Sequence, residues 1–258
     1  MNDVRQKLID ALPLDHYLAM QIDGRDLGAG VVRDGCVGFT SLHWSRHIDW
    51  STVLGTDPDA IASVAAELIK ASEEVGKRTS GLTISRIGAA AVSERIEWTR
   101  QGDWDWWLTH APTGEVSGEE LVQEVALADP RLEPLLSVWS PRRSVEVGDR
   151  LIDRWVGIVI EGRLVAAAAD TRRDAGVPQI AGVVTDGRHR GRGYATAVCA
   201  RLTRDALLDG HPIVTLSSYA DNGEARKVYE RLGFQVTHQF ASGPLPVVAT
   251  NRQTPPDR

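Results

Sequence analysis

Apolar residues recur every three to four positions in three stretches of the chain, which is the spacing of one face of a helix. The first stretch opens with Asp57, which can cap a helix, and Pro58, which suits a first turn. The third follows Asn222 as a cap and closes at Gly233. We therefore predict three amphipathic helices with these apolar faces: Ile61, Val64, Ala65, Leu68 and Ile69; Ala195, Val198, Cys199, Leu202 and Ala206; Ala225, Val228, Tyr229 and Leu232.

Short apolar runs bounded by turn residues predict strands around these helices. Glu161 and Gly162 separate two such runs and indicate a hairpin. The alternation of strands and helices predicts an α/β fold. The predicted strands cover residues 30–42, 52–56, 82–87, 154–161, 163–171, 178–186, 213–217 and 234–240.

The length of 258 residues accommodates two small domains. Turn residues at 111–114 precede an acidic stretch, beginning near Ser117, that we predict to be helical. We therefore predict an N-terminal domain at 1–112, a second domain at 113–242 and a mobile tail at 243–258. The tail contains Pro244, Pro246, Pro255 and Pro256 and few residues that could anchor it.

Composition excludes several classes of protein. A net charge of −6 argues against a broad basic face for nucleic acid. The chain has only two cysteines, Cys36 and Cys199, which we expect to be free, buried thiols in a reducing compartment. They form no metal-binding spacing, and no apolar stretch reaches the ~18 residues that a membrane helix needs. The expected location is the cytoplasm, with no membrane partner and no metal.

The segment 183–195 leads from a predicted strand into a helix through a loop with three glycines and three arginines. Glycines let the backbone approach an anion, and the helix N-terminus adds a favourable dipole. A P-loop would end in Gly-Lys-Ser or Gly-Lys-Thr, which this loop lacks. A dinucleotide fingerprint starting at Gly191 would need Gly or Ala where Thr196 stands.

The pattern Arg190-x-x-Gly193-x-Ala195 resembles the pyrophosphate loop of the GNAT superfamily of acetyltransferases. About thirty residues later, the segment from Asn222 to Phe234 resembles the second signature helix of that family, with Ala225, Tyr229 and Gly233-Phe234 at the expected spacing. The two motifs occur in the family's order, with a strand between them. The resemblance covers roughly residues 117–240 and is sharp from Ile180 onward.

The resemblance implies a mixed, strongly twisted sheet in which the strands near 180–185 and 213–217 splay apart for the pantetheine arm of acetyl-CoA. It implies that Tyr229, near the thioester sulfur, is the catalytic general acid, and that Asn222 bonds the pantetheine region. The other implied cofactor-binding residues lie on the strand (Val183, Val184, Thr185) and in the loop (Arg190, Gly191, Arg192, Gly193, Tyr194, Ala195).

The amine must lose a proton, but no single base stands out. Gln179, Asp186, Asp170, Ser217 and Tyr219 are open candidates, as is a water relay. His189 is expected to be an exposed loop residue without a catalytic role.

The N-terminal half also has a strand, helix, strand order. We interpret it either as a diverged copy of the same fold or as an unrelated packing module. Four tryptophans either pack a core or form an aromatic wall beside a substrate: Trp98, Trp104, Trp106 and Trp107.

Direct acetyl transfer to a small-molecule or peptide amine is the predicted function, and the acceptor and the formation of a homodimer stay open. The alternative from another class is a non-catalytic acyl-CoA sensor. Nucleic-acid binding through Arg188, Arg190 and Arg192 is a more distant third hypothesis.

Overall fold

The computed structural model describes residues 2–23, 25–42, 48–111, 114–172 and 176–246. The chain divides into two compact units, of which the first holds residues 1–14, 25–102 and 240–258 and the second holds residues 15–24 and 103–239. The predicted division after residue 112 therefore differs from the structure. The tryptophan-rich strand that precedes it belongs to the second unit, and each unit is assembled from separate pieces of the chain.

The first unit is a sheet covered by helices. Its strands run in the order β1-β2-β3-β4, followed by residues 240–244 of β11. Strands β3 and β4 are parallel and α3 connects them, which is the strand, helix, strand order that the sequence predicted. Its elements, with strands and helices numbered along the whole chain, are α1 (Asn2–Ala11), β1 (Leu27–Arg33), β2 (Cys36–Leu42), β3 (Asp49–Leu54), α3 (Pro58–Glu74), β4 (Gly81–Ser85), α4 (Ala89–Arg95) and the end of β11 (Gln235–Pro244).

The capping of α3 follows the prediction, whereas the first predicted strand does not. Asp57 accepts a hydrogen bond from the N–H of Ala60 at 2.7 Å, and Pro58 is the first residue of α3. The run at 30–42 is two antiparallel strands, because Asp34 and Gly35 both adopt positive φ angles (51° and 73°) and turn the chain. An Asp-Gly pair with positive φ at both positions is typical of a tight hairpin.

The second unit is a mixed sheet with strands in the order β5-β10-β9-β8-β7-β6. Within this order, β9 and β10 are the one parallel pair among the described strands. Its elements are α2 (His16–Ile22), β5 (Gly102–Thr109), β6 (Val122–Val125), α5 (Leu132–Trp139), β7 (Ile152–Ile160), β8 (Arg163–Arg172), β9 (Pro178–Thr185), α6 (Tyr194–Leu208), β10 (Val214–Tyr219), α7 (Gly223–Arg231) and the start of β11.

Two further predictions need correction. The stretch near Ser117 is not an α-helix but a single 3₁₀ turn at Glu119–Leu121 followed by β6, which pairs with β7 and buries Val122 and Val125. The predicted tail also begins too early. Gly243 and Pro244 lie in β11 opposite Leu82 and Gly81, and the rest of the predicted tail from residue 247 lies outside the described residues.

Helices cover both faces of the second sheet near β9. Helix α6 packs on one face, in a core that includes Val156, Ile158 and Val198. Because side chains alternate along a strand, Trp155 lies on the opposite face. There, Trp155 and Val145 approach the backbone of Gly182 so closely that a Cβ at Gly182 would lie 2.9 Å from each. Helix α5 contacts β8 and β9.

The parallel pair β9 and β10 opens along its length. The two strands are in register at only two positions, Thr215 with Gln179 and Leu216 with Ile180. Beyond Ile180, β9 remains paired with β8 on its other edge up to Thr185. The predicted splay of these two strands is therefore confirmed, and it leaves one edge of β9 without a neighbouring strand in the described sheet.

Candidate active site

The loop between β9 and α6 presents main-chain N–H groups without acceptors. A 3₁₀ turn at Gly187–His189 follows β9, and Gly193 caps α6. Gly191 and Gly193 have φ angles of +76° and +81°, a conformation that favours glycine. In the part of the chain that the structure describes, no group accepts a hydrogen bond from the N–H groups of residues 190–195. Such a cluster at a helix N-terminus is suited to bind an anion.

The three arginines of the loop differ in their partners. Arg188 forms a two-point ion pair with Asp186, with nitrogen to oxygen distances of 3.1 and 2.7 Å. The guanidinium of Arg190 lies 5.5 Å from the ring centroid of Trp139, and within the described residues neither it nor Arg192 meets a carboxylate. Arg190 and Arg192 are therefore the two cations of the loop that remain available to a phosphate.

A pocket of about 370 Å³ adjoins the loop. Its walls include Arg192 and Gly193 of the loop and Arg231 at the end of α7. The remaining lining residues are Gly114, Glu115, Val116, Ser117 and Thr196. The pocket thus places a second arginine, from α7, on the side of the loop where Arg192 lies.

The open edge of β9 contains the three predicted strand residues. Val184 and Thr185 pair with Ala167 and Ala166 of β8. The pairing register of β9 with β8 shifts between Ala181 and Val184, where Val183 lies. The hydroxyl oxygen of Thr185 is buried and has no hydrogen-bond partner among the described residues. An extended arm of amide groups fits such an edge because the arm can add hydrogen bonds like a further strand. The loop and the edge together fit a pantetheine diphosphate.

Helix α7 holds the other two predicted site residues. The side chain of Asn222 accepts a hydrogen bond from the N–H of Ala225 at 3.1 Å, so its predicted capping role is confirmed. Tyr229 is buried, with its ring in edge-to-face contact with Trp107 at 5.9 Å and Phe234 at 6.3 Å. Burial, together with the nearby Cys199 thiol, raises the pKa of the Tyr229 hydroxyl far above its usual value.

The Tyr229 hydroxyl thus stays protonated at neutral pH. It forms no hydrogen bond with any described residue. The Cys199 thiol is also buried, and its pKa is raised to about 12 by burial, so it is a poor nucleophile. Cys36 is buried and free as well, as predicted for both thiols.

The candidate bases fall into three groups. Hydrogen bonding from Arg188 lowers the pKa of Asp186 to about 2, which makes this carboxylate a weak base. Asp170 is buried opposite Ile180, at the closed end of the strand pair, and Arg172 and Arg154 hold it. Ser217 and Tyr219 are exposed on the part of β10 that has separated from β9.

Gln179 is the remaining candidate base, and His189 was predicted to be an exposed loop residue without a catalytic role. Gln179 is buried at the first paired position of β9 and β10, away from the opening. His189 is partly buried rather than exposed, and its Nδ1 lies 4.0 Å from the Asp186 carboxylate. The structure therefore brings Ser217 and Tyr219 to the opening and leaves Asp170 and Gln179 at its far end.

A cluster that sequence patterns did not indicate positions α7. Arg226 pairs with the fully buried carboxylate of Asp105 on β5, and its guanidinium lies 5.0 Å from the ring centroid of Trp107. Trp107 also donates a hydrogen bond to the hydroxyl of Ser218 at 3.0 Å. These contacts fix the helix that carries Tyr229. Trp106 and Trp107 are buried in the second unit, in agreement with the packing interpretation of the tryptophans.

Among the described residues, no group of histidine, cysteine, aspartate and glutamate side chains could hold a metal ion. No described helix is both long and apolar enough to cross a membrane.

A loop of unengaged N–H groups beside a parallel strand pair that opens is an arrangement suited to an acyl-CoA-dependent acyltransferase. Residues 155–241 match the family described as FR47-like protein. The structure resembles a GCN5-related N-acetyltransferase from Kribbella flavida, with a TM-score of 0.55 and 18% identity over 95% of this chain and 96% of that chain. The chain therefore has the fold of the GCN5-related N-acetyltransferases, and its C-terminal part matches the FR47-like family.

Two curated relatives match parts of the sequence. An N-acetylaspartate synthetase from Danio rerio is 32% identical over 36% of this chain and 33% of its own length. An erythronate-4-phosphate dehydrogenase from Pseudomonas syringae pv. syringae (strain B728a) is 26% identical over 73% of this chain and 47% of its own length. The chain thus spans about a third of one relative and about half of the other.

Proposed function

We propose that the protein transfers an acetyl group from acetyl-CoA to a primary amine by direct attack. The single observation that supports this most strongly is the set of unengaged N–H groups at residues 190–195, placed where β9 and β10 separate. A diphosphate at these N–H groups would direct its pantetheine arm along the open edge of β9. The name of the Danio rerio relative describes an N-acetylated amino acid, which also supports an amine acceptor.

The proposed roles follow from the position of each group. The loop N–H groups, Arg190 and Arg192 bind the diphosphate, and the edge of Val183 to Thr185 binds the amide arm. Asn222 contacts the same arm at the start of α7. Tyr229 holds a proton near the thioester sulfur.

The transfer step balances without a covalent enzyme intermediate. The amine nitrogen forms a bond to the thioester carbonyl carbon, and the carbon–sulfur bond breaks as the tetrahedral intermediate collapses. The departing thiolate takes the hydroxyl proton of Tyr229, which is then restored from solvent. The nitrogen gives up its proton to water, and the exposed Ser217 and Tyr219 line the route for it.

Two measurements on the intact chain test this proposal. Calorimetry should detect binding of CoA and acetyl-CoA, and release of free thiol should follow addition of a suitable amine from a panel. Tyr229→Phe should lower kcat by about 100-fold or more with little change in CoA affinity, because a general acid contributes about 10²- to 10⁴-fold. Absence of heat with either ligand would contradict the proposal.

The alternative is a non-catalytic acyl-CoA sensor, and the same variant separates the two hypotheses. A sensor would bind CoA without thiol release, so Tyr229→Phe would have no turnover to lower. Strong salt-dependent binding to DNA would instead favour the nucleic-acid hypothesis. The dehydrogenase activity in the name of the second relative is not adopted, because Thr196 occupies the position where a dinucleotide fingerprint has Gly or Ala.

A further inference from the structure

The segment after α5 lies beside β9 and extends one side chain, that of Arg142, across the opening between β9 and β10. At its start, Trp139 lies against the turn that follows β9, where a Cβ on Gly187 would stand 2.3 Å from its Cζ3 atom. Further along, Val145 lies against Gly182, in the middle of β9. Between these two anchors, Arg142 reaches the loop after β10. The segment therefore follows β9 at both of its ends and sends one side chain across to the separated strand.

Arg142 binds a carboxylate on the far side of the opening. Its Nη1 and Nη2 each donate a hydrogen bond of 3.1 Å to the two carboxylate oxygens of Asp221. Its guanidinium lies 4.4 Å from the ring centroid of Tyr219. A planar guanidinium stacked on a ring presents a fixed fork that matches a carboxylate at two points. Asp221 directly precedes Asn222, the residue proposed to contact the pantetheine arm.

The guanidinium of Arg142 lies on the side of the sheet from which we expect the acceptor to approach. Helices α6 and α7 share the core on one face of the sheet, so that face is closed. On the other face, Ser217 and Tyr219 are exposed beside the fork. An amine that reaches the thioester over these residues would have its remaining groups within range of Arg142.

In the ion pair of Arg142 and Asp221, the Asp221 carboxylate can readily be replaced by another carboxylate. The side chains of Arg142 and Asp221 are 61% and 66% exposed. Exposed pairs contribute little to stability, so a carboxylate from outside can replace Asp221 without unfolding its surroundings.

We propose that Arg142 is the acceptor-recognition residue of this enzyme and that the acceptor is an amine that also carries a carboxylate, of the amino-acid class. Asp221 occupies the fork in the absence of acceptor and is displaced by the carboxylate of the acceptor. This inference rests on the proposed acetyl transfer. It specifies the class of acceptor that the same site binds.

The test compares acceptors that differ only in the carboxylate. Common amino acids are assayed one at a time with acetyl-CoA, each beside its carboxamide and its decarboxylated amine, and kcat/KM is measured by thiol release. The acids should be preferred over their amides. Arg142→Ala should lower kcat/KM for the acids by about 10- to 100-fold, because a hydrogen-bonded charge is lost, and should leave the amides unchanged. Arg142→Lys should retain part of the preference.

Two further variants sharpen the comparison. Asp221→Asn removes the internal competitor and should lower KM for the acids, by up to roughly fivefold. Arg150 is exposed in the same segment, so Arg150→Ala is the matched control and should leave the preference unchanged. Calorimetry with CoA on every variant shows that the protein is folded and its cofactor loop intact.

The outcomes are distinguishable. A preference for acids that disappears in Arg142→Ala supports the inference. Turnover of amines without preference for a carboxylate, or a preference that survives Arg142→Ala, overturns it and leaves acetyl transfer standing. CoA binding without turnover of any acceptor also overturns it. Absence of CoA binding overturns the proposed function and this inference together.

Discussion

Gly187, in the turn after β9, is packed closely against the ring of Trp139. A Cβ at this position would lie within 2.4 Å of two ring atoms of Trp139, so any larger residue must push the ring aside. The guanidinium of Arg190 lies 5.5 Å from the centroid of the same ring. Gly187 therefore allows Trp139, a residue distant in sequence, to pack against the phosphate loop.

We expect Gly187→Ala to weaken CoA binding by about tenfold, because displacing the ring also displaces the loop cation. Calorimetric titration of CoA measures the change. Gly223→Ala is the matched control, since a Cβ there would meet no atom within 4 Å. Equal CoA affinities for the two variants would contradict this role of Trp139.

The buried thiol of Cys199 should make stability depend on alkaline pH. Burial raises its pKa to about 12, so its contribution is complete below the usual thiol pKa near 9 and is lost as pH rises toward 12. Above pH ~9 the unfolded chain releases this proton first, and stability should fall by about 1.4 kcal/mol per pH unit.

Urea unfolding of the protein and of Cys199→Ala at pH 8 and pH 10 tests this expectation. The difference in unfolding free energy between the two proteins should be smaller at pH 10 by about 1.4 kcal/mol. A difference that is the same at both pH values would show that the thiol does not titrate in this range in the unfolded chain.

At the residue scale, the sequence predicted side chains whose roles depend on near neighbours. Asp57 and Asn222 cap helices because their partners lie three residues away. Trp139 and Arg142 could not be found in this way. Their partners lie more than forty residues further along the chain, and only the folded sheet brings them together.

A buried carboxylate links helix α7 to the sheet. Asp105 is fully buried on β5, whereas the side chain of Arg226 is 37% exposed. Removing one partner of such a pair leaves a buried group without its charge-assisted hydrogen bond, and the penalty exceeds the value of an exposed pair.

We expect Asp105→Asn to lower the free energy of unfolding by about 1–3 kcal/mol. Glu224→Gln is the control on the same helix, because the pair of Glu224 with Lys227 is exposed and should contribute no more than about 0.5 kcal/mol. Denaturant unfolding compares the two. The interpretation fails if the two variants lose the same stability.

The sequence predicted the elements whose apolar residues recur with a clear helical period. It did not predict elements whose structure depends on pairing with another strand. Helices α3, α6 and α7 each have an apolar face and a capping residue, and their positions agree with the prediction. Strand β6 has only four residues, with an acidic segment before it, so local pattern favoured a helix. Pairing with β7 decided the outcome, because the strand buries two valines in the sheet.

At the scale of the whole molecule, unit boundaries were the weakest prediction. Residues 111 and 114, on either side of the predicted boundary, both lie in the second unit, which also contains residues 15–24. Composition and turn signals report local breaks in the chain. They contain no information about which distant segments pack together.

The first unit depends on a strand from the far end of the chain. Residues 240–244 pair with the whole of β4, and Ala241 lies in the core of that unit. We expect a chain that ends at Gln239 to unfold at a temperature at least several degrees lower than the full chain, because the strand that pairs with β4 and the core residue Ala241 are lost.

A chain that ends at Pro246 is the control and should keep the melting temperature of the full chain, since it retains β11 entire. Thermal unfolding followed by circular dichroism compares the three proteins. Equal melting temperatures for the two shortened chains would contradict the structural role of residues 240–244.

The late arrival of this strand has a consequence for synthesis on the ribosome. Residues 81–85 leave the exit tunnel long before residues 240–244 have been translated. The edge of β4 that pairs with residues 240–244 therefore stays unpaired during this time. Pairing over such a sequence separation is slow, and an unpaired edge is prone to aggregation in the meantime. Nascent chains of this protein are therefore expected to need protection, by a chaperone or by slow expression, until residues 240–244 have left the ribosome.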